Sequence, residues 1–204
     1  IQASVQAERD MAGVPCGIMD QTVVELAASG QALLLDCLDQ TARSVPFDSQ
    51  APALLVIHSG VSHSLAEAAY AQRRAECERA SALLGVNSLR EVSPDQLARL
   101  KDEGVLHQRV THVVTENERV RDAVKAIEQG CWDRLGALMT GSHRSLRDDY
   151  EVSCQELDLL VELATVERGV YGARMTGGGF GGCVIVLVET DQLEGVVDRI
   201  SGQY

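Results

Sequence analysis

Residues 171–188 read YGARMTGGGFGGCVIVLV, and this stretch decides the fold class of the chain. We predict an extended segment over residues 171–175, a glycine-rich loop over residues 176–182 and a strand over residues 183–188. The strand is apolar at nearly every position, which is typical of a strand that is buried on both faces of its sheet. Together with the helical patterns that precede it, the stretch predicts a mixed α+β chain.

Helical spacing of apolar side chains dominates the sequence before this stretch, most clearly in one stripe from Val110 to Ile127. Residues 64–67 and residues 153–156 both have the form of a capping box, which predicts the start of a helix. The predicted helices cover residues 1–12, 17 to a stop at 29–30, 64–84, 110–127, about 135–146, 153 to a stop at Gly169, and 192–200. The predicted strands cover residues 32–38, 41–47 and 54–57, and the first two form a hairpin that turns at Asp39 and Gln40.

The composition limits the possible classes of function. Of the 204 residues, 45% are apolar and 3% are aromatic, so the chain can form a core, mostly from Ala, Val and Leu. Its formal net charge of -12 argues against nucleic acid and membrane lipid as main partners, because both bind basic surfaces. A phosphate site in such a chain needs local compensation from backbone N–H groups, a metal ion or a few arginines.

The six cysteines are scattered, with no CxxC pair and no His/Cys group at zinc spacing. Scattered cysteines in an acidic chain are typical of reduced core residues in an intracellular protein, so we expect a cytoplasmic location. The sequence shows no signal peptide and no apolar run long enough to span a bilayer. His107 and His112 are five positions apart and do not share a helix face as the histidines of HExxH do, so we expect no metal site there.

The glycine-rich loop formally fits GxGxxG at Gly177, Gly179 and Gly182. A dinucleotide-binding fingerprint opens a helix, whereas a strand follows this loop, so we reject that interpretation. The Walker pattern GxxxxGK[ST] is also absent. Two interpretations stay open: a loop whose missing side chains let a ligand or another loop come close, and a hairpin without a ligand. Phe180 favours a packed loop.

Residues 15–21 read PCGIMDQ and place Asp20 in the first turn of a predicted helix, off the apolar stripe that contains Met19, Val23 and Leu26. A carboxylate in the first turn faces the positive end of the helix dipole, which favours its ionised form. It can orient a hydroxyl or accept its proton, or it can simply stabilise the helix. Taken alone, the pattern favours a residue that only stabilises its helix.

Four segments carry a resemblance to a known family. They are PCGIMDQ at residues 15–21, EAAYAQRR at 67–74, SHRSLRDDYEVSC at 142–154, and RMT with the glycine loop at 174–183. The first resembles the active-site segment of galactokinases in the GHMP kinase group, and the last resembles the third motif of that group. All four run in the family's order across nearly the whole chain.

The resemblance implies roles for particular residues. Asp20 matches the catalytic aspartate beside the C1 hydroxyl of the sugar, and Gly17 matches a backbone contact to the sugar. Tyr70 matches a tyrosine that lines the sugar pocket, and Glu8 matches a carboxylate that helps to hold Mg²⁺. The glycines implied to lie beside the phosphate loop and the active site are Gly177, Gly178, Gly179, Gly181 and Gly182.

The resemblance also implies an activity. The reaction is transfer of the γ-phosphoryl group of ATP to the C1 hydroxyl of α-D-galactose, which gives galactose 1-phosphate and ADP, with Mg²⁺ as cofactor. Two alternatives remain open: a kinase for N-acetylgalactosamine, and a sensor of sugar and ATP that binds a regulatory protein. No other protein partner is implied.

The implied architecture has two parts. Residues 1–48 are expected to be a remnant of an N-terminal ribosomal-S5-like domain, and residues 49–204 a C-terminal GHMP kinase domain with a ferredoxin-like sheet and inserted helices. The serine-rich phosphate loop and the catalytic arginine of the family have no counterpart in the sequence. We therefore expect a fragment that lacks the N-terminal segment and the last C-terminal strand and is inactive by itself.

Overall fold

The computed structural model describes the backbone of residues 1–12, 17–47, 51–62 and 66–204, and their side chains apart from those of residues 8, 9, 12, 62, 66 and 67. The chain divides into two compact units. The first contains Ile1–Ala51 with Ile127–Gly130, and the second contains Pro52–Ala126 with Cys131–Tyr204. The predicted domain boundary after residue 48 lies outside the described residues, and the assignment of these units to domains of the family stays a prediction.

The first unit contains two helices and a hairpin. Helices α1 (Gln2–Ala12) and α2 (Met19–Leu26) precede strands β1 (Gln31–Asp36) and β2 (Thr41–Pro46). The strands pair antiparallel in an unbroken register. Gln40, the last residue of the turn between the strands, takes a left-handed conformation with φ 58°. The predicted helices, the hairpin and its turn are confirmed.

The apolar stripe of α2 is exposed. Met19, Val23 and Leu26 are 53%, 41% and 45% exposed. The buried residue of the helix is Thr22, whose hydroxyl donates a hydrogen bond to the carbonyl oxygen of Ile18 at 2.6 Å. Helical spacing therefore predicts the helix correctly, but it does not predict which of its residues are covered.

The second unit is a three-stranded sheet with helices packed on it. In chain order its elements are β3 (Ala53–Ser62), α3 (Ala66–Leu84), α4 (Pro94–Ala98), α5 (Val105–Glu128), α6 (Trp132–Asp148), α7 (Gln155–Thr165), β4 (Val170–Thr176), β5 (Gly181–Val188) and α8 (Leu193–Gln203). The sequence predicts each of these except α4. None of the helices among the described residues is long and apolar enough to cross a membrane.

The sheet has the order β3-β5-β4, and both pairs of neighbours are antiparallel. The sequence predicts that the central strand β5 is buried on both faces, but Cys183 and Ile185 on one face are only half-buried. Its residues Val184, Val186 and Val188 are fully buried, and they share a core with Leu160 of α7 and Val196 of α8. The predicted α+β class is therefore confirmed, with α7 and α8 as the helices that complete this core.

Helix α6 crosses strand β4 with almost no space between the two backbones. A Cβ atom at Gly172 would lie 2.0 Å from the carbonyl oxygen of Gly136, and one at Gly136 would lie 2.1 Å from the carbonyl oxygen of Tyr171. No side chain fits at either position. The two glycines thus fix how closely the helix approaches the strand.

One predicted capping box is wrong and another was missed. The N-cap of α7 is Cys154, which makes no side-chain cap, and the hydroxyl of Ser153 instead donates to Asp158 at 2.6 Å. A complete capping box starts α4, where Ser93 and Gln96 exchange side-chain and backbone hydrogen bonds. The capping box predicted for residues 64–67 includes residues outside the described part of the chain.

Candidate active site

The first unit places Asp20 at the edge of an open cleft. Asp20 is exposed in the first turn of α2, as predicted, and Gly17 is an exposed residue just before that helix. A carboxylate in this turn is stabilised by the positive end of the helix dipole. The cleft has a volume of about 460 Å³ and is lined by Ser4, Asp20, Gln21, Val24 and Glu25. Its size suits a small ligand, to which Asp20 and Glu25 would present carboxylates.

Glu8, the candidate metal ligand, lies in α1, one helical turn after Ser4. Its side chain is outside the part of the chain that the structure describes. The assignment of Glu8 as a metal ligand therefore stays a prediction.

The second unit contains the glycine loop between β4 and β5. Gly177, Gly179 and Gly182 take φ angles of 84°, 89° and 88°, which favour glycine. A Cβ atom at Gly177, Gly178 or Gly182 would meet no atom within 4 Å, whereas one at Gly179 would lie 2.2 Å from the carbonyl oxygen of Val152. One side of the loop is therefore held against another segment, and three of its glycines face open space.

Phe180 anchors the loop. Its backbone N–H donates to the carbonyl oxygen of Val152 at 2.7 Å, and its side chain packs against the core that contains β5. The prediction of a packed loop is confirmed. The first interpretation allowed the close approach of a ligand or another loop, and the approach of another segment is present at Val152.

Tyr70 lies in α3 of the second unit and is 44% exposed. The candidate site residues are thus divided between the units, with Gly17 and Asp20 in the first, and Tyr70 and the glycine loop in the second. Within the second unit, the guanidinium of Arg174 lies 3.6 Å from the carboxylate of Glu116.

A buried row of polar pairs between α5 and α6 was missed by sequence reasoning. We call it the polar seam, and it consists of Arg109, His112, Glu116, Ser142, Ser145 and Asp149. Arg109 donates to the carbonyl oxygen of Asp149 at 2.6 Å, and Ser142 donates to the carboxylate of Glu116. The signal was present, because polar residues recur on α5 at the three- and four-residue spacing of one helix face. The apolar stripe of the same helix gave the stronger pattern, so the polar face was not predicted.

His112 is the most perturbed group of the seam. The hydroxyl of Ser145 donates to Asp149 at 2.7 Å, so it accepts its hydrogen bond from Nδ1–H of His112 at 3.0 Å. The imidazole also stacks on the ring of Tyr150 with centroids 4.5 Å apart. Burial, helped by the charge of Arg119 and opposed by nearby carboxylates, lowers the pKa of His112 from 6.5 to about 4. His112 is therefore neutral at physiological pH.

Comparison with known proteins shows a similarity to one family. The family model for the C-terminal domain of GHMP kinases matches residues 123–204. These residues are therefore similar to the C-terminal domain of GHMP kinases. Among them lie α6, the sheet strands β4 and β5, and the glycine loop between them.

The similarity extends beyond the GHMP kinase domain to the whole chain. Two galactokinases, from Bos taurus and Homo sapiens, are both 46% identical to it, in matches that cover 100% of this chain and 52% of each relative. The crystal structure of Lactococcus lactis galactokinase complexed with galactose matches with a TM-score of 0.90 and 35% identity, over 98% of this chain and 53% of that chain. The chain thus spans about half the length of the curated relatives that it matches.

Proposed function

We propose that the full-length protein is a galactokinase, which transfers the γ-phosphoryl group of ATP to the C1 hydroxyl of α-D-galactose and releases galactose 1-phosphate and ADP. The observation that carries this proposal is the 46% identity to galactokinases over the entire chain. The similarity to the crystal structure of a galactokinase complexed with galactose supports the choice of sugar.

Asp20 is the proposed catalytic residue. Phosphoryl transfer depends on positioning and charge stabilisation more than on covalent chemistry. In this proposal a carboxylate oxygen of Asp20 accepts the hydrogen bond of the C1 hydroxyl, turns the hydroxyl oxygen towards the phosphorus and takes up its proton as the bond forms. The exposure of Asp20 on an open cleft supports this role, since the carboxylate can reach a ligand without rearrangement of α2.

Binding of the sugar is assigned to Gly17 and Tyr70. Gly17 has no side chain to block its backbone groups, and a Cβ atom there would meet nothing within 4 Å. Tyr70 offers a half-exposed ring and a hydroxyl, which suit the apolar and polar faces of a sugar. The open glycines of the loop, Gly177, Gly178 and Gly182, would let backbone approach phosphate oxygens.

Mg²⁺ is the cofactor that this proposal requires. Among the described residues there is no group of three or more His, Cys, Asp or Glu side chains placed to hold a metal ion. Mg²⁺ usually keeps several waters and binds one or two carboxylates together with substrate phosphates, so a single carboxylate is enough for this ion. Glu8 is the proposed protein ligand, and the bound ion would offset the charge of ATP.

The test is a kinase assay on the full-length protein, with Asp20→Asn and Asp10→Asn as a matched pair. Asp10 is an exposed aspartate on α1, so its replacement controls for the loss of one negative charge. We expect Asp20→Asn to lower kcat by about 10²- to 10⁴-fold and Asp10→Asn to leave kcat unchanged. Near-normal turnover of galactose by Asp20→Asn would show that the assignment is wrong.

A panel of sugars separates the alternatives. Preference for N-acetylgalactosamine over galactose would favour the related kinase. Binding of galactose and ATP without release of ADP would favour the sensor. Residues 1–204 alone should be assayed beside the full-length protein, because the sequence predicts that they do not turn over.

A further inference from the structure

Arg109 is a buried arginine within a cluster of charged side chains that takes no part in the proposed chemistry. Its side chain is 1% exposed, and its three nitrogens reach three different acceptors. Nε donates to the carboxylate of Glu76 at 2.7 Å, and the terminal nitrogens donate to the carbonyl oxygen of Asp149 at 2.6 Å and to the carboxylate of Glu151 at 2.5 Å. Arg109 thus connects α5 with α3 and with residues 149–152, which lie between α6 and α7.

Arg73 of α3 donates hydrogen bonds to the same segment. Its Nε donates to the carbonyl oxygen of Tyr150 at 2.7 Å, and a terminal nitrogen donates to the carbonyl oxygen of Glu151 at 3.4 Å. Arg73 and Arg109 also share one carboxylate oxygen of Glu76, at 3.0 and 2.7 Å. We call Arg73, Glu76 and Arg109 the arginine clamp.

The charge state of Glu76 suits this arrangement. Burial by itself raises the pKa of Glu76, but hydrogen bonds from Arg109 and Gln72 and the charges of both clamp arginines hold the pKa below its usual value. The carboxylate is therefore ionised, and it keeps the two guanidinium groups side by side. Without it, two buried positive charges would repel each other.

The clamped segment has a backbone conformation that needs support. Glu151 takes φ 52°, which is in the left-handed region that residues other than glycine rarely adopt. Three consecutive carbonyl oxygens, those of Asp149, Tyr150 and Glu151, accept hydrogen bonds from the clamp. Such a conformation persists only where its surroundings determine it. The clamp supplies hydrogen bonds to the three carbonyl oxygens, and backbone N–H groups of the segment also donate to carbonyl oxygens of α6.

Val152 transmits this position to the glycine loop. Its carbonyl oxygen accepts the N–H of Phe180 at 2.7 Å. The same oxygen would lie 2.2 Å from a Cβ atom at Gly179, so the two backbones are in direct contact. Any displacement of the segment must therefore move the loop or break its hydrogen bond.

We propose that the arginine clamp positions the glycine loop, with Arg109 and Arg73 as positioning residues that act through residues 149–152. The side of the loop that faces open space is then held at a fixed distance from the core, although no clamp residue touches a ligand. The effect of the clamp on turnover rests on the proposed galactokinase activity, whereas its effect on the loop does not.

Amide hydrogen exchange of the full-length protein tests this inference, with Arg73→Gln and Arg74→Gln as a matched pair. Both arginines lie in α3, but Arg74 is exposed and pairs only with Glu78 among the described residues. Arg73→Gln loses the hydrogen bonds to two carbonyl oxygens of the segment. We expect exchange of the Phe180 amide to rise about tenfold in Arg73→Gln and to stay unchanged in Arg74→Gln.

Arg109→Lys supplies a second, stronger perturbation. A lysine ammonium cannot reach three acceptors in the fixed directions of a guanidinium, so this conservative charge replacement should also speed exchange at Phe180. Amides of β5, such as those of Val184 and Val186, should exchange as before in both clamp variants. The proposal is overturned if Phe180 exchanges at its original rate, or if β5 accelerates by the same factor, because the clamp would then be only a source of global stability.

A kinetic measurement separates this inference from the proposed function. If the protein is a galactokinase, Arg73→Gln should lower kcat and leave the KM for galactose nearly unchanged, since the clamp holds the loop and not the sugar pocket. Faster exchange at Phe180 in a protein without galactokinase activity would leave the clamp proposal standing and refute the proposed function. A change in the KM for galactose alone would contradict the assignment of the clamp to the loop.

Discussion

The neutral state of buried His112 predicts a specific loss of stability in acid. In the unfolded chain the imidazole takes up a proton near pH 6.5, whereas in the folded protein its pKa is about 4. Between these values the unfolded state binds more protons than the folded state, so stability falls as the pH falls. From about pH 7 to about pH 5 the loss from this one group amounts to about 2 kcal/mol.

The test compares the protein with His112→Asn. The amide nitrogen of asparagine can replace Nδ1–H as donor to Ser145, but it does not titrate. The free energy of unfolding is measured by urea denaturation at about pH 7 and at about pH 5. The decrease between these pH values should be about 2 kcal/mol smaller in His112→Asn than in the original protein. His58→Asn, which removes an exposed histidine from β3, controls for the change in composition.

Direct titration of the His112 ring by NMR provides the second measurement. We expect its midpoint near pH 4, below those of ordinary histidines. A midpoint near 6.5, or equal losses of stability in the original protein and His112→Asn, would refute the reasoning. Either result would show that burial does not lower the pKa of this ring.

Three further predictions concern the described backbone. Gly172→Ala should destabilise the protein by about 3 kcal/mol, measured by urea unfolding, because its Cβ atom would lie 2.0 Å from the backbone of α6; a loss under about 1 kcal/mol would contradict this. Gly179→Ala should lower the melting temperature, whereas Gly178→Ala, beside it but in open space, should not; equal melting temperatures would show that the contact with Val152 is unimportant. Ser93→Ala should cost about 1 kcal/mol of unfolding free energy by removing the cap of α4, and a neutral effect would argue against the capping box.

Much of the fold could be predicted from the sequence because its signals are local. The buried strand β5 and the hairpin turn at Gln40 follow from apolar runs and turn residues. Helix α4 is only five residues long, too short for helical spacing to reveal, and only its capping box could have indicated it. The capping box predicted at Ser153 failed because its hydroxyl found a different acceptor, Asp158, in the folded chain.

Less of the candidate site than of the fold could be predicted from the sequence. The position of Asp20 in the first turn of α2 follows from the sequence, but its exposed cleft depends on how α1 and α2 pack. The glycine loop could be located, yet Val152, the partner of Phe180, lies about 28 residues earlier, and no pattern in either segment indicates the contact. Arg109 resembled any charged residue of a solvated helix, since burial of an arginine is decided by tertiary partners alone.

The polar seam between α5 and α6 has a consequence for how this chain can change by mutation. Replacing one member, for example Ser145, leaves Nδ1–H of His112 on the other helix buried without its hydrogen bond. Replacing both members of a pair with apolar residues removes that penalty. The effects of substitutions in the two helices on the free energy of unfolding are therefore non-additive. Facing positions of α5 and α6 are expected to be substituted together, as pairs.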